Sequence, residues 1–300
     1  MSEYDGSQFV GIDLHRRRSV LVRTTEGGEP LEVVRINNDV ESLAAVMARA
    51  GEDPQVVLEA TYGWYWAVDV LQVGGAQVHL AHPLGVKGFA YRRVKNDVRD
   101  AADLADLLRM GRLPEAWIAP AATRELRELV RHRAKLVALR SGCKCEVHAV
   151  LAKLGVQVPM SDLFTDAGLD LLARVQAPAA YVARIQSLQR LIDALDGEVD
   201  RFARLARGRL VADPGYQAVQ TIPGIGPVLA AVFVAEIGDV HRFPTAAHLS
   251  SWARADAQAP RVRHPRATWP DHQTGLQAGA VGGHRVGQAA RPAHRCRTAA

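Results

Sequence analysis

No run of about 18 consecutive apolar residues occurs anywhere in the 300-residue sequence, so no segment reads as a membrane-spanning helix and no membrane partner is expected. The opening MSEYDGSQFV lacks the basic-then-apolar layout of a secretory signal, which makes the cytoplasm the expected location. Cysteine is scarce: Cys143, Cys145 and Cys296 form no even framework. Two positions apart on a helix, Cys143 and Cys145 would point in different directions, so neither disulfides nor a zinc site are indicated. No serine sits in the glycine pattern of a nucleophile elbow, which leaves a Ser/His/Asp hydrolase without support.

A basic excess is missing from most of the chain as well. The net charge is +5, but residues 254–300 carry eight Arg against Asp256 and Asp271. Removing them leaves 29 basic and 30 acidic residues in positions 1–253, so any case for nucleic-acid binding must rest on local features.

What is present suits a globular chain of about two domains, with 48% hydrophobic residues. Residues 8–14 (QFVGIDL), 19–25 (SVLVRTT) and 31–36 (LEVVRI) read as consecutive strands. A helix is expected over 41–50, a strand over 55–60 (QVVLEA), an aromatic helix over 64–73 and a strand over 76–81. Three strands followed by alternating helix and strand predict a mixed sheet with helices on its faces. A helix over 95–112 follows, closed by Gly111 and Pro114.

Helical signals then dominate over 121–154 and 180–210. Ile185, Leu188, Ile192, Leu195, Val199, Phe202 and Ala206 recur at alternating steps of three and four, a coiled-coil seam. A matching line through Leu126, Leu129, Leu136, Cys143, Val147, Val150 and Leu154 is interrupted by Arg133 and Arg140. An antiparallel hairpin closed on itself and a dimerising coil both fit. After Pro214 and Gly215, VQTIPGIGPVLAAVFVAEIG predicts a helix, a glycine turn and a second helix.

Candidate chemistry lies in the first half. Asp13 stands at the polar end of the first apolar strand, Glu59 at the corresponding place of VVLEA, and Asp97 and Asp100 lie three apart on one helix face, about 5–6 Å apart at Cβ. Four converging acids would repel one another unless divalent cations neutralised them. Hard oxygen ligands suit Mg²⁺ or Mn²⁺, and an ion pair of that kind serves phosphodiester exchange. Pattern alone also permits an exposed acidic stripe, since Asp103 and Asp106 continue the spacing of three. His15, two residues after Asp13, reads either as a structural strand-end histidine or as a neighbour of the metal.

In order and separation, FVGIDLH, LEATYGWYW and KNDVRDA resemble the DEDD motif of the RuvC-like domain in one group of bacterial insertion-sequence transposases. The resemblance runs over residues 8–253 and implies Asp13, Glu59, Asp97 and Asp100 as the catalytic, metal-binding acids, with Mg²⁺ or Mn²⁺ as cofactor. It also implies DNA as partner (element ends and target), an element-encoded guide RNA and self-association through the coiled-coil region. Gly224-Ile225-Gly226 before Pro227 resembles a helix-hairpin-helix turn whose free amides can hold a phosphate.

The expected architecture is α/β plus α: an RNase H/RuvC-like mixed sheet over 8–115, a helical coiled-coil region over 121–210, a truncated C-terminal transposase domain over 214–253 and a disordered tail over 254–300. That tail contains no Ile, Phe, Tyr, Lys, Glu, Ser, Asn or Met and cannot build a core. With GC-rich codons moved by one nucleotide, DAQAPRVRHP becomes close to LTPKHRESDT, a phrase similar to the family's own, so a shifted reading frame near codon 253 or 254 is expected. The family's C-terminal serine nucleophile would then fall opposite Arg261 to Arg263 and is lost here, with Ser250 and Ser251 preceding it, and this copy is expected to be impaired. Two other readings remain open: a stand-alone junction resolvase, and a non-catalytic nucleic-acid-binding coiled-coil protein.

Overall fold

The computed structural model describes residues 4–89 and 96–253, in two compact units divided between Pro120 and Ala121. In the first unit, β1 (Gln8–Leu14), β2 (Arg18–Thr25) and β3 (Pro30–Asn37) form an antiparallel meander. Helix α1 (Val40–Met47) leads to β4 (Gln55–Glu59), and α2 (Trp64–Val73) leads to β5 (Gln77–Ala81), with β4 parallel to β1 and β5 parallel to β4. A short α3 (Pro83–Lys87), α4 (Asp97–Arg109) and the antiparallel edge strand β6 (Glu115–Ala116) complete it. The sheet order is β3-β2-β1-β4-β5-β6, a mixed sheet in which β1, β4 and β5 run parallel.

The period-two pattern of the central strands decides which face each helix covers. Val10 and Ile12 of β1, with Val56 and Leu58 of β4, join Leu43, Val46, Val68 and Leu71 of α1 and α2 in one core. Phe9 and Val57, on the alternate positions, pack with Leu104 and Leu108 of α4. Helix α4 comes unusually close to β1 at Gly11, where a Cβ would lie 1.8 Å from the Ala101 carbonyl oxygen. Only glycine permits that approach, so one residue of the FVGIDLH motif sets how deeply α4 seats.

Buried polar contacts pin the meander. Arg23 of β2 donates to Gln8 Oε1 (2.9 Å) and pairs with Glu32 (2.7 Å), which also pairs with Arg49 (2.9 Å). Burial pushes the Glu32 carboxyl upward, but hydrogen bonds and charge from Arg49 and Arg23 outweigh it and leave the group below its ordinary value.

The second unit is built on two long helices, α5 (Ala121–Lys153) and α7 (Ala179–Leu210), with α6 (Asp166–Arg174) between them in sequence. Ion pairs Glu125–Arg209, Arg140–Asp196 and Glu146–Arg184 join rising positions on α5 to falling positions on α7, so the helices run antiparallel. Ile185, Ile192, Val199 and Ala206 are each buried, and the first two join Val147, Val150 and Leu151 of α5 in one cluster. The α7 seam therefore closes within the chain, as the hairpin alternative required. At the other end, Leu126 and Val130 join Ala206, Leu210, Tyr216, Ala230 and Ala231. The last two belong to α9 (Pro227–Ile237), which follows α8 (Pro214–Gln220), and a final α10 spans Ala246–Trp252. The tail from 254 onward, with its expected disorder and frame shift, lies outside the described residues.

Candidate metal site

Asp13 projects from β1 on the face that α4 covers, because it continues the alternation of Phe9 and Gly11 rather than that of Val10 and Ile12. Glu59 continues Val57 on the same face of β4, and the parallel register that pairs Ile12 with Leu58 leads directly to these two acids. Helix α4 begins over them. Asn96 caps it by accepting from the Val98 amide at 3.0 Å, and Asp97 and Asp100 occupy its first turn, where the helix dipole favours negative charge. Asp97, Ala101, Leu104 and Leu108 share the stripe that faces the sheet.

The structure brings Asp13, His15 and Asp97 together, each offering a ligand atom within 4.8 Å of the other two. His15 Nε2 stands 3.1 Å from Asp13 Oδ2 and 3.4 Å from Asp97 Oδ1, so one imidazole bridges a strand acid and a helix acid. Asp13 is the most enclosed, its side chain 17% exposed, while the other two are more than a third exposed. Asn38 holds the turn that carries His15: its amide donates to the His15 carbonyl at 2.5 Å and its carbonyl accepts from Ser19 Oγ at 2.6 Å. Glu59 and Asp100 belong to the same corner of the fold but not to this close trio. Of the four acids expected from sequence, two meet directly. The histidine that sequence left undecided joins them, its only signal being a position two residues beyond Asp13.

Two carboxylates and an imidazole whose ligand atoms lie within 4.8 Å of one another are close to the spacing around an octahedral ion with ligands at about 2.1 Å, where opposite ligands stand roughly 4.2 Å apart. The trio can hold a divalent cation after small side-chain rotations. A mostly carboxylate set favours a hard ion over zinc or copper.

The glycine turn lies in the second unit. Gly224 adopts φ +88°, a conformation that favours glycine, whereas Gly226 has an ordinary φ of −84° and caps α9 without any side-chain hydrogen bond. A Cβ at either position would meet nothing within 4 Å, so helix packing does not account for these glycines.

Known proteins resemble the chain in the same two regions. Residues 10–155 match the DEDD transposase model of the IS110 type, and residues 216–260 match the transposase model of the IS116/IS110/IS902 family. A family 20 transposase of Pseudomonas aeruginosa is 26% identical over 197 residues, covering 63% of this chain and 56% of its own. The transposase y4qE of Sinorhizobium fredii is 27% identical over 253 residues, covering 81% and 62%. An insertion element IS116 protein of Streptomyces clavuligerus is 26% identical over 306 residues, covering 82% and 75%. The chain thus spans less than two thirds of the length of the first two relatives. Among solved structures, T. thermophilus RuvC in complex with a Holliday junction substrate overlaps at a TM-score of 0.28 and 15% identity, covering 37% of this chain and 99% of that one.

Proposed function

This chain belongs to the IS110/IS116/IS902 transposase family, matched by family models at both ends, and from that premise we propose that it is a metal-dependent DNA strand-transfer enzyme of an insertion sequence. The observation that carries the reading is the meeting of Asp13 with Asp97 across His15 on one face of the six-stranded mixed sheet.

Asp13 and Asp97 would hold Mg²⁺, with Glu59 and Asp100 of the same corner completing the set of four acids. When bound, such ions polarise a phosphodiester and stabilise the attacking and leaving oxygens of the exchange. The protein's part is placement. Strands β1 and β4 fix Asp13 and Glu59 rigidly, α4 delivers Asp97 and Asp100 as one body, and Gly11 sets the distance between the two sources. His15 acts as a positioning residue that orients the two carboxylates it bridges.

Gly224, Ile225 and Gly226 form the proposed DNA contact. With Gly226 free of a capping side chain and Pro227 carrying no N–H, the amides of Val228 and Leu229 are the donors left for a phosphate, and the lack of any packing need for glycine there favours close approach of a ligand backbone. The reading includes an element-encoded guide RNA, supported by the family resemblance alone. It also includes self-association, supported by Leu139, Leu191 and Leu205, which stand exposed on α5 and α7. No helix among the described residues is long and apolar enough to cross a membrane, and the DNA substrate places the proposed work in the cytoplasm.

Strand nicking and transfer on labelled DNA, with Mg²⁺ or EDTA, test the proposal in two chains: the present one and one with the alternative frame restored after codon 253. The restored chain is expected to act only with Mg²⁺ and to lose activity in Asp13→Asn. Activity that survives EDTA, or a restored chain inert under every condition, contradicts the proposal.

A further inference from the structure

The arginine that interrupts the apolar line of α5 has a place that the metal site leaves unexplained. Arg133 lines a groove of about 240 Å³ among α5, α7 and α9, together with Arg204 and Arg207 of α7 and Pro227 and Val228 at the start of α9. Its floor is made of small residues, Ala134, Ala203, Ala206 and Ala231, and truncated side chains on three converging helices leave the space open. Arg204 and Arg207, three apart, share one face of α7.

Several other arginines of this unit face a carboxylate at ion-pair distance. Arg131 pairs with Glu236, Arg140 with Asp196, Arg184 with Glu146, Arg201 with Glu198 and Arg209 with Glu125. Among the described residues, Arg133, Arg204 and Arg207 make no ion pair, and the Arg133 Nε is buried without a hydrogen-bond partner. Burial, and then the neighbouring Arg140 cation, hold the Arg133 pKa below the ordinary arginine value, with Asp200 opposing both. Three guanidinium groups line one groove and none is in ion-pair contact with a carboxylate, a local excess of cation in a chain whose body is otherwise balanced. Pro227 and Val228, the first residues of α9, line the same groove, so the start of that helix lies beside the three guanidinium groups.

We propose that this groove is a phosphate clamp in which Arg133, Arg204 and Arg207 grip the sugar-phosphate backbone of DNA beside the Gly224–Gly226 turn. Planar guanidinium forks suit phosphate oxygens, and a shallow apolar floor suits a backbone rather than a base edge. The contact is therefore indifferent to sequence and serves to hold the duplex in register. The inference rests on the proposed DNA substrate.

Fluorescence anisotropy with the full chain and two labelled 20-bp duplexes of unrelated sequence, across a salt series and beside an RNA duplex, separates the outcomes. Arg204→Gln with Arg207→Gln is expected to weaken both DNA duplexes equally, by roughly threefold to tenfold per arginine, and to make the log–log salt slope shallower by about one unit per arginine. Arg133→Gln should act in the same direction, with circular-dichroism melting confirming the fold. Arg174→Gln on α6, whose side chain is 81% exposed, should leave the slope unchanged. A wild-type chain that binds no DNA defeats the function proposed above. Binding by the wild type that the groove variants leave intact, or that they weaken only for RNA or only for one sequence, overturns the clamp itself.

Discussion

Gly11→Ala should disturb the proposed metal site without touching any of the side chains assigned to it. The added Cβ would lie 1.8 Å from the Ala101 oxygen and 2.9 Å from both the Ala101 carbonyl carbon and the Ala105 nitrogen, whereas ordinary contact begins at 3.4 Å. All three neighbours are backbone atoms of α4, so no side chain can swing aside. The helix must retreat by roughly 1 Å or more, at an overpacking cost of about 1–3 kcal/mol. Because Asp97 and Asp100 ride on the first turn of α4, that retreat separates Asp97 from Asp13, and a displacement of about 1 Å costs on the order of 100-fold in a positioned reaction. The assay pairs urea unfolding with calorimetric Mn²⁺ titration of wild type, Gly11→Ala and Gly142→Ala. Gly142 lies within α5 with nothing near its missing Cβ, so alanine there should add up to about 1 kcal/mol of stability. A Gly11→Ala protein with wild-type stability and metal affinity would refute the seating of α4 on β1.

Other expectations follow from the same contacts. Glu32→Gln removes the partner of a buried arginine and should cost about 1–3 kcal/mol at pH 7. Since the folded carboxyl titrates below its ordinary 4.5, this contribution is complete above that value and disappears as pH falls through the folded pKa, so urea melts of the two proteins should converge toward pH 3. His15→Gln should weaken divalent-metal binding about 10- to 100-fold while thermal stability stays near wild type, and equal affinity in both proteins would remove His15 from the site. Gly224→Ala should destabilise the second unit by about 1–2 kcal/mol because of its positive φ. Gly226→Ala should melt like wild type yet bind DNA more weakly, and unimpaired binding would detach the turn from the phosphate.

Much of the fold was legible because its signals are local. The β-rich runs QFVGIDL and QVVLE marked β1 and β4 to within a residue, and the steps of three and four in α7 marked the face that the hairpin buries. The short elements β6, α3 and α6 escaped, since two to nine residues held by tertiary contacts carry little pattern of their own. Whether the seam closed within the chain or between chains was undecidable from heptads alone, because both outcomes bury the same residues. At the site, Asp13 and Asp97 could be nominated by motif, but the bridging role of His15 depends on where α4 lands. That landing follows from a missing Cβ at Gly11 and from α4 itself, and no spacing in the sequence expresses it.

Anomalous diffraction from crystals grown with Mn²⁺ tests the central claim most directly. The account predicts a peak bonded at about 2.1–2.2 Å to carboxylate oxygens of Asp13 and Asp97, with Glu59 or Asp100 alongside, and its disappearance in Asp13→Asn. Saturating Mn²⁺ that leaves this corner of the sheet empty, while Asp13, His15 and Asp97 keep their contacts, would contradict it.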